Sequence, residues 1–242
     1  MRIIAIIPSR YGSQRFAGKS IAPIAGIPMI QRVYRQVEKA GCFEQIIVAT
    51  DDQRIARIVE GFGGVAVLTS SDLRSGTERV WAVMKTNSYG AVVNIQGDEP
   101  LISEELVAGV HQALVSGKTE VVTAAFWSIS YEDFVSPHVV KVVLNRENQA
   151  LYFSRSPIPY APKGEFFGFY QHVGIYGYTR DALDSFFHST ESTLEKSEKL
   201  EQLRFLEGCR NVQVLITPYR THGVDVPGDV DRIEKILRDQ GE

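Results

Sequence analysis

Cysteine is nearly absent from this chain, and so is any surplus of basic charge. Cys42 and Cys209 are the whole complement, with no partners at metal-ligand spacing. That leaves neither a disulfide framework nor a zinc module and points to a reducing compartment. The 26 Lys and Arg against 29 Asp and Glu give a formal net charge of -3, whereas a nucleic-acid binder shows a basic excess or stripe. No apolar run approaches membrane-spanning length, and Ile3 to Pro8 is far too short for the core of a signal peptide. Internal repeats, low-complexity tracts and obvious linkers are lacking too. The expectation is a soluble cytoplasmic protein with no nucleic-acid partner and no membrane insertion.

What is present is a chain of 242 residues, 44% hydrophobic and 23% charged, enough to bury a full core as a single domain over 1–242. Short β-branched runs alternate with amphipathic stretches: IIAII, MIQRVYRQVEKA, QIIVAT, QRIARIVEGFG, VAVLT, TERVWAVMKT and AVVNIQ. That rhythm predicts an α/β fold with a doubly wound, mostly parallel sheet. From about Val121 strands crowd together in VVTAAF, VVKVVL, ALYFS and HVGIYGYT, which predicts antiparallel or mixed pairing and a smaller strand-rich lobe within about 121–180. One helix is expected across KSEKLEQLRFLEG and another across DVDRIEKILRDQ, with VQVLIT as a strand between them.

Open α/β sheets bind ligands beyond the carboxyl ends of their strands. Those ends deliver Ser9, Arg10, Arg15 and Lys19, then Thr50 and Asp51, then Gln96, Asp98 and Glu99. Gly12, Gly18, Lys19 and Ser20 read G-x(5)-G-K-S, one residue longer than a P-loop. Pro23, Gly26 and Pro28 forbid the helix a P-loop requires directly after its lysine, and no G-x-G-x-x-G is present. What remains is a loop with three cations, for which a triphosphate clamp and a solvated surface loop stay equally open. Gly97 lets the backbone turn so that Asp98 projects from a strand end, where a carboxylate holds Mg2+ against phosphate oxygens; the competing role for Asp98 and Glu99 is to cap the helix starting near Ser103. Ser75 and Glu78 have capping-box spacing, with free N–H groups beside a base or ribose.

The motifs IIPSRYGSQRFAGKS, IVATDD, SGTERV, VVNIQGDEP, KVVL, ALYFSRSPIPY, HVGIYGY, LEQLRFLE and GVDVPGDVDRI, in that order, resemble the 3-deoxy-manno-octulosonate cytidylyltransferase family over about Ile3 to Ile236. One departure lies in the loop, where the family reads R-L-P-G-K-P-L and this chain has Phe16, Ala17 and Ser20. The resemblance implies a nucleotidyltransferase that activates 3-deoxy-manno-octulosonate (KDO) with CTP for lipopolysaccharide biosynthesis, with Mg2+ as cofactor and a homodimer built from the strand-rich lobe. It implies Arg10, Lys19, Asp98 and Asp225 as catalytic residues, with Asp98 and Asp225 at the metal; alone, Asp225 reads as a cap before the helix near Pro227. Nucleotide contacts carry over to Pro8, Ser9, Arg10, Arg15, Lys19, Thr50, Ser75, Gly76 and Arg79. Sugar-acid contacts carry over to Gln96, Arg155, His172, Tyr176, Glu201 and Gln202. Taken singly, His172 reads as a satisfied structural histidine, and Glu201 and Gln202 as the wet face of a helix whose dry face is Leu200, Leu203 and Leu206.

Overall fold

The first apolar run forms β1 (Ile3–Ser9), and all seven of its residues are buried, as befits a strand covered on both faces. In the computed structural model, which describes residues 1–12, 15–162 and 165–241, the chain divides into two compact units, Met1–His111 with Thr221–Glu242, and Gln112–Arg220.

In the first unit β1 pairs in parallel with β4 (Ile46–Thr50) and with β6 (Ala91–Ile95), and β4 pairs with β5 (Val65–Leu68), so these strands run in the order β6-β1-β4-β5. Between β1 and β4 comes a 3-10 turn at Lys19–Ile21, then a small hairpin of β2 (Pro23–Ile24) and β3 (Ile27–Pro28). Ala25 and Gly26 both have positive φ, 48° and 78°, which matches a two-residue hairpin turn. No helix follows Lys19 directly; α1 (Met29–Lys39) begins only after Pro28 and buries Met29, Ile30, Val33, Tyr34 and Val37 as one stripe. Next come α2 (Gln53–Gly61), capped by Asp52, α3 (Gly76–Met84), capped by Ser75, and α4 (Glu104–Val115).

The second unit contains β7 (Val121–Ser128), α5 (Tyr131–Val135), β8 (Lys141–Leu144), β9 (Ala150–Ser154), β10 (Phe169–Thr179), α6 (Arg180–His188), α7 (Thr193–Glu198), α8 (Leu203–Glu207) and β11 (Val212–Ile216). β10 is antiparallel to β7 and β8, β8 is antiparallel to β9, and β11 is parallel to β7. The ladder between β10 and β7 shifts register between Val173 and Tyr176. The expected mixed pairing is therefore present, and the fold is α/β with a mixed, mostly parallel sheet.

The single helix expected across KSEKLEQLRFLEG is instead two. α7 opens on a capping box between Ser192 and Glu195 and stops at Lys199, which has a left-handed φ of 56°. In one straight helix Glu195 and Arg204 would lie about 13 Å apart along the axis. The break folds α8 back so that Arg204 grips the Glu195 carboxylate with two bonds of 2.6 Å. Leu200, Leu203 and Phe205 take the buried positions, while Leu206 stays half-exposed.

The last helix, α9 (Gly228–Asp239), belongs to the first unit, where Val224, Ile233 and Leu237 pack with Ile24 and Met29. Among the described residues no helix is long and apolar enough to cross a membrane.

Candidate active site

Two strand ends, the start of a helix and the returning C-terminal segment build one site in the first unit. Pro8 and Ser9 end β1, Gln96 follows β6, and Ser75 with Gly76 begins α3. Together with Arg10, Arg15, Lys19, Arg79, Asp98 and Asp225 they line a cavity of about 350 Å³. The sharp exit from β6 depends on Gly97, since a Cβ there would lie 2.9 Å from the Pro8 carbonyl oxygen. Gly18 has φ +72° and lies against the Tyr11 ring, 3.1 Å from where its Cβ would be. Its N–H donates to the Tyr11 carbonyl at 2.9 Å, closing the cationic loop at its neck.

Lys19 is the centre of the charge pattern. Its Nζ lies 2.5 Å from Asp98 Oδ2, 2.9 Å from the Val224 carbonyl oxygen and 3.5 Å from Asp225 Oδ1. Arg15 Nη2 reaches Asp225 Oδ2 at 3.2 Å. Asp225 comes here because the 221–241 segment is pinned by Val224, whose N–H donates to the Asp98 carbonyl at 2.9 Å, and by the apolar cluster under α9. It is not the helix cap that its position suggested. No side chain caps α9, whose N-cap position is Pro227; Asp229, in its first turn, instead accepts from the Asp225 and Val226 N–H groups at 2.8 and 3.0 Å, and both Asp225 carboxylate oxygens face Arg15 and Lys19.

Beside this pair, burial and then the charges of Asp98 and Asp225 push the Glu99 carboxyl up to about 8, and its Oε2 has no partner. Asp98 and Glu99 do not cap α4; Ser103 does, accepting from the Leu106 N–H at 3.1 Å.

The nucleotide residues named from the sequence mostly converge. Arg79 is 2% exposed, and its Nη2 donates to Asp51 Oδ2 at 3.1 Å, with Thr69 and Ser70 holding Nη1. Burial pulls its pKa down against the opposing charge of Asp51. Asp51 also accepts the Tyr11 N–H at 3.3 Å, so it ties the loop to Arg79, a role that its place after β4 signals only in part. Thr50 does not line the cavity. It is fully buried, and its hydroxyl accepts from the Asp52 N–H at 3.2 Å. Ser75 accepts from the Glu78 N–H at 3.2 Å, but Glu78 returns to the Arg74 N–H at 2.7 Å rather than to Ser75, so the capping box is only half formed.

The sugar-acid residues split between the units: Gln96 lines the cavity just described, and Arg155, His172, Tyr176, Glu201 and Gln202 lie in the second unit. His172 Nε2 and Thr123 Oγ1 are 2.9 Å apart, and Thr123 donates onward to the Ile175 carbonyl at 2.8 Å. Burial lowers the His172 pKa to about 3, leaving the ring neutral. Its ring lies 5.4 Å from that of Tyr176, whose phenol is raised first by burial and then by the Glu201 charge. Glu201 and Gln202 are in the turn between α7 and α8 rather than on a helix face. Gln202 is 5% exposed, and its Nε2 is a buried donor without a protein acceptor. Arg155 is held by Glu198, which sequence reasoning missed: Glu198 Oε2 accepts the Arg155 N–H at 2.9 Å, and its carbonyl accepts from Arg155 Nε at 3.0 Å.

A family model described as Cytidylyltransferase matches residues 4–211, and with the strand-end cavity this defines the chain as a nucleotidyltransferase of the cytidylyl-transferring class. A 3-deoxy-manno-octulosonate cytidylyltransferase of Desulfosudis oleivorans is 48% identical, with 98% of each chain covered. A second, from Geobacter metallireducens, is 44% identical over 99% of this chain and 100% of the relative. A solved CMP:2-keto-3-deoxy-manno-octonic acid synthetase complexed with CTP superposes with a TM-score of 0.94 at 38% identity, covering 99% of this chain and 100% of that one. A 4-diphosphocytidyl-2C-methyl-D-erythritol synthase from Anaerococcus prevotii, 16% identical with a TM-score of 0.65 over 98% of each chain, shares the fold alone. The chain belongs to the 3-deoxy-manno-octulosonate cytidylyltransferase family.

Proposed function

We propose that the anomeric hydroxyl of KDO attacks the α-phosphorus of CTP, forming a C–O–P link to CMP while the bond to the β-phosphate oxygen breaks and pyrophosphate leaves. The product, CMP-KDO, is an activated sugar for lipopolysaccharide synthesis. The observation that carries this reading is the convergence of Lys19, Asp98 and Asp225 on one point of the cavity. Phosphoryl-type transfer is mostly positioning and charge neutralisation. Arg10, Arg15 and Lys19 serve the β- and γ-phosphates that depart. Pro8, Ser9, Ser75, Gly76 and Arg79 hold base and ribose, with Thr50 supporting from beneath. Gln96, Arg155, His172, Tyr176, Glu201 and Gln202 receive the sugar acid; His172, neutral, serves as a hydrogen-bonding group rather than a cation.

The site suits Mg2+. Two carboxylates converge where an ammonium lies, and beside them the buried Glu99 carboxyl, raised by burial and then by the charges of Asp98 and Asp225, keeps one oxygen without a partner. Hard oxygen donors in this number are what magnesium takes from a protein that binds it with phosphates. Asp98 and Asp225 would hold the ion, which supplies charge neutralisation at the α-phosphate.

A homodimer is part of the proposal, supported by large apolar side chains left exposed in the second unit: Trp127 50%, Tyr131 60%, Tyr160 86% and Phe167 80%. Light scattering that returns a monomer mass would remove it.

Pyrophosphate release measured across four nucleoside triphosphates, with KDO and N-acetylneuraminate as acceptors, tests the reaction. CTP with KDO is expected to be used, and a polar wall left unpaired by the wrong sugar discriminates by roughly 10⁴-fold or more. Comparable efficiency with N-acetylneuraminate would overturn the acceptor, and a preference for another nucleotide would overturn the donor.

A further inference from the structure

A lysine with no exposed surface normally meets a carboxylate. Lys141, the first residue of β8, is 0% exposed and instead donates to three main-chain carbonyls, those of Ser136 at 2.8 Å, Val139 at 2.8 Å and Arg155 at 2.5 Å. Three acceptors satisfy its three hydrogens but leave its charge uncancelled. Burial holds its pKa below the usual lysine range, with the Glu198 charge opposing and Arg155 adding to the effect. The Glu198 carboxylate is already engaged, accepting from the Ser154 hydroxyl at 2.6 Å and the Arg155 N–H at 2.9 Å.

The Arg155 guanidinium is likewise bound to carbonyls, donating to Pro137 at 3.0 Å and to Glu198 at 3.0 Å. The two cations thus hold the carbonyls of Ser136, Pro137 and Val139 between them and fasten the loop after α5 to the exit of β9. Lys141, Arg155 and Glu198 together carry one surplus positive charge in a setting where charges are weakly screened.

We propose that Lys141 is a positioning residue for the sugar acid: it fixes the Arg155 main chain and the 136–139 loop so that the guanidinium meets the acceptor's carboxylate, and its own charge favours an anion there. This rests on the reading that Arg155 binds that carboxylate.

The test is Lys141→Met, which keeps the length and removes the charge, with initial rates of pyrophosphate release measured while KDO and CTP are varied in turn. Loss of a hydrogen-bonded charge predicts a KM for KDO raised about tenfold, with kcat and the KM for CTP within about twofold. A purely structural lysine would lower Tm without that split. An unchanged KM for KDO, or equal rises for both substrates, overturns the inference. Arg155→Ala, assayed in parallel, separates the two layers. If it leaves the KM for KDO unchanged, the reading of Arg155 falls and the inference with it; if it raises that KM while Lys141→Met does not, only the inference falls. Should Lys141→Met not fold, Lys141→Gln carries the same comparison, and failure of both to fold assigns Lys141 to the core and overturns the proposal.

Discussion

Replacing Lys19 by alanine probes the centre of the nucleotide cavity. Its ammonium lies 2.5 Å from Asp98, 2.9 Å from the Val224 carbonyl and 3.5 Å from Asp225, on a side chain only 14% exposed. These are the contacts of an ammonium waiting for a better anion. On nucleotide binding they are exchanged for oxygens of the distal phosphates, and one hydrogen bond to a charged group is worth about 1.5–3 kcal/mol. CTP should therefore bind Lys19→Ala roughly 10- to 150-fold more weakly. CMP, which has no distal phosphates, should lose less than about threefold. The loss for CTP should shrink as salt is raised, because the cavity opens to solvent. Calorimetric titration of both nucleotides, with circular dichroism to confirm folding, gives the comparison. Equal losses for CTP and CMP would refute the reasoning and return Lys19 to the general field of the surface.

Three further outcomes are expected. Asp98→Asn and Asp225→Asn, which keep shape and remove charge, should each cut turnover by at least about 100-fold with the fold intact; wild-type rates in both at low Mg2+ would contradict the two-carboxylate site. Glu195→Ala strands the Arg204 guanidinium, which is 16% exposed and bound by two contacts of 2.6 Å, and should cost about 3–5 kcal/mol in urea unfolding; a loss below about 1 kcal/mol would show the pair to be dispensable. Burial pulls the His172 pKa down to about 3 in the fold from the ordinary 6.5, so the unfolded chain binds the extra proton between those values. Stability should be full above pH 6.5 and fall as pH drops toward 3, by up to about 1.4 kcal/mol per pH unit from this residue. His172→Gln should flatten that limb, and an unchanged acid limb would show that the ring is not desolvated.

The parallel strands of the first unit were legible because burial on both faces demands continuous apolar runs, and IIAII, QIIVAT and AVVNIQ supply them. Their ends pointed to Ser9, Lys19 and Asp98 because the open-sheet rule locates ligands without any knowledge of side chains. The break at Lys199 was not legible. No glycine or proline marks it, and the apolar spacing of Leu200 and Leu203 continues as though the helix did. It is enforced by Glu195 and Arg204, a contact across nine residues that periodicity does not register. Nor was α6 visible, since RDALDSFFH follows β10 with no loop between them and only Thr179 signals its start. Asp225 misled when read alone because an acid just ahead of a helix has the position of a cap, whereas its carboxylate is turned to Lys19, which lies 206 residues away in the chain.

The register shift in β10 bears on how this strand can vary. His172 stands opposite Ala125 and Tyr176 opposite Thr123, so Gly174 and Ile175 are two supernumerary residues. In a flat ladder, positions four apart would be separated by about 13 Å, yet here the two rings are 5.4 Å apart. Because the facing pattern repeats every two residues, an insertion of even length leaves His172, Tyr176 and Tyr178 on their present side. A single residue change would instead turn Tyr176 and Tyr178 away from His172, putting Gly177 and Thr179 in their places on a deletion and Ile175 and Gly177 on an insertion. The strand is thus free to lengthen or shorten here only in pairs, and removing Gly174 and Ile175 would leave the two rings opposite Ala125 and Thr123, two positions or about 7 Å apart on one face, so the pair would survive in a regular strand.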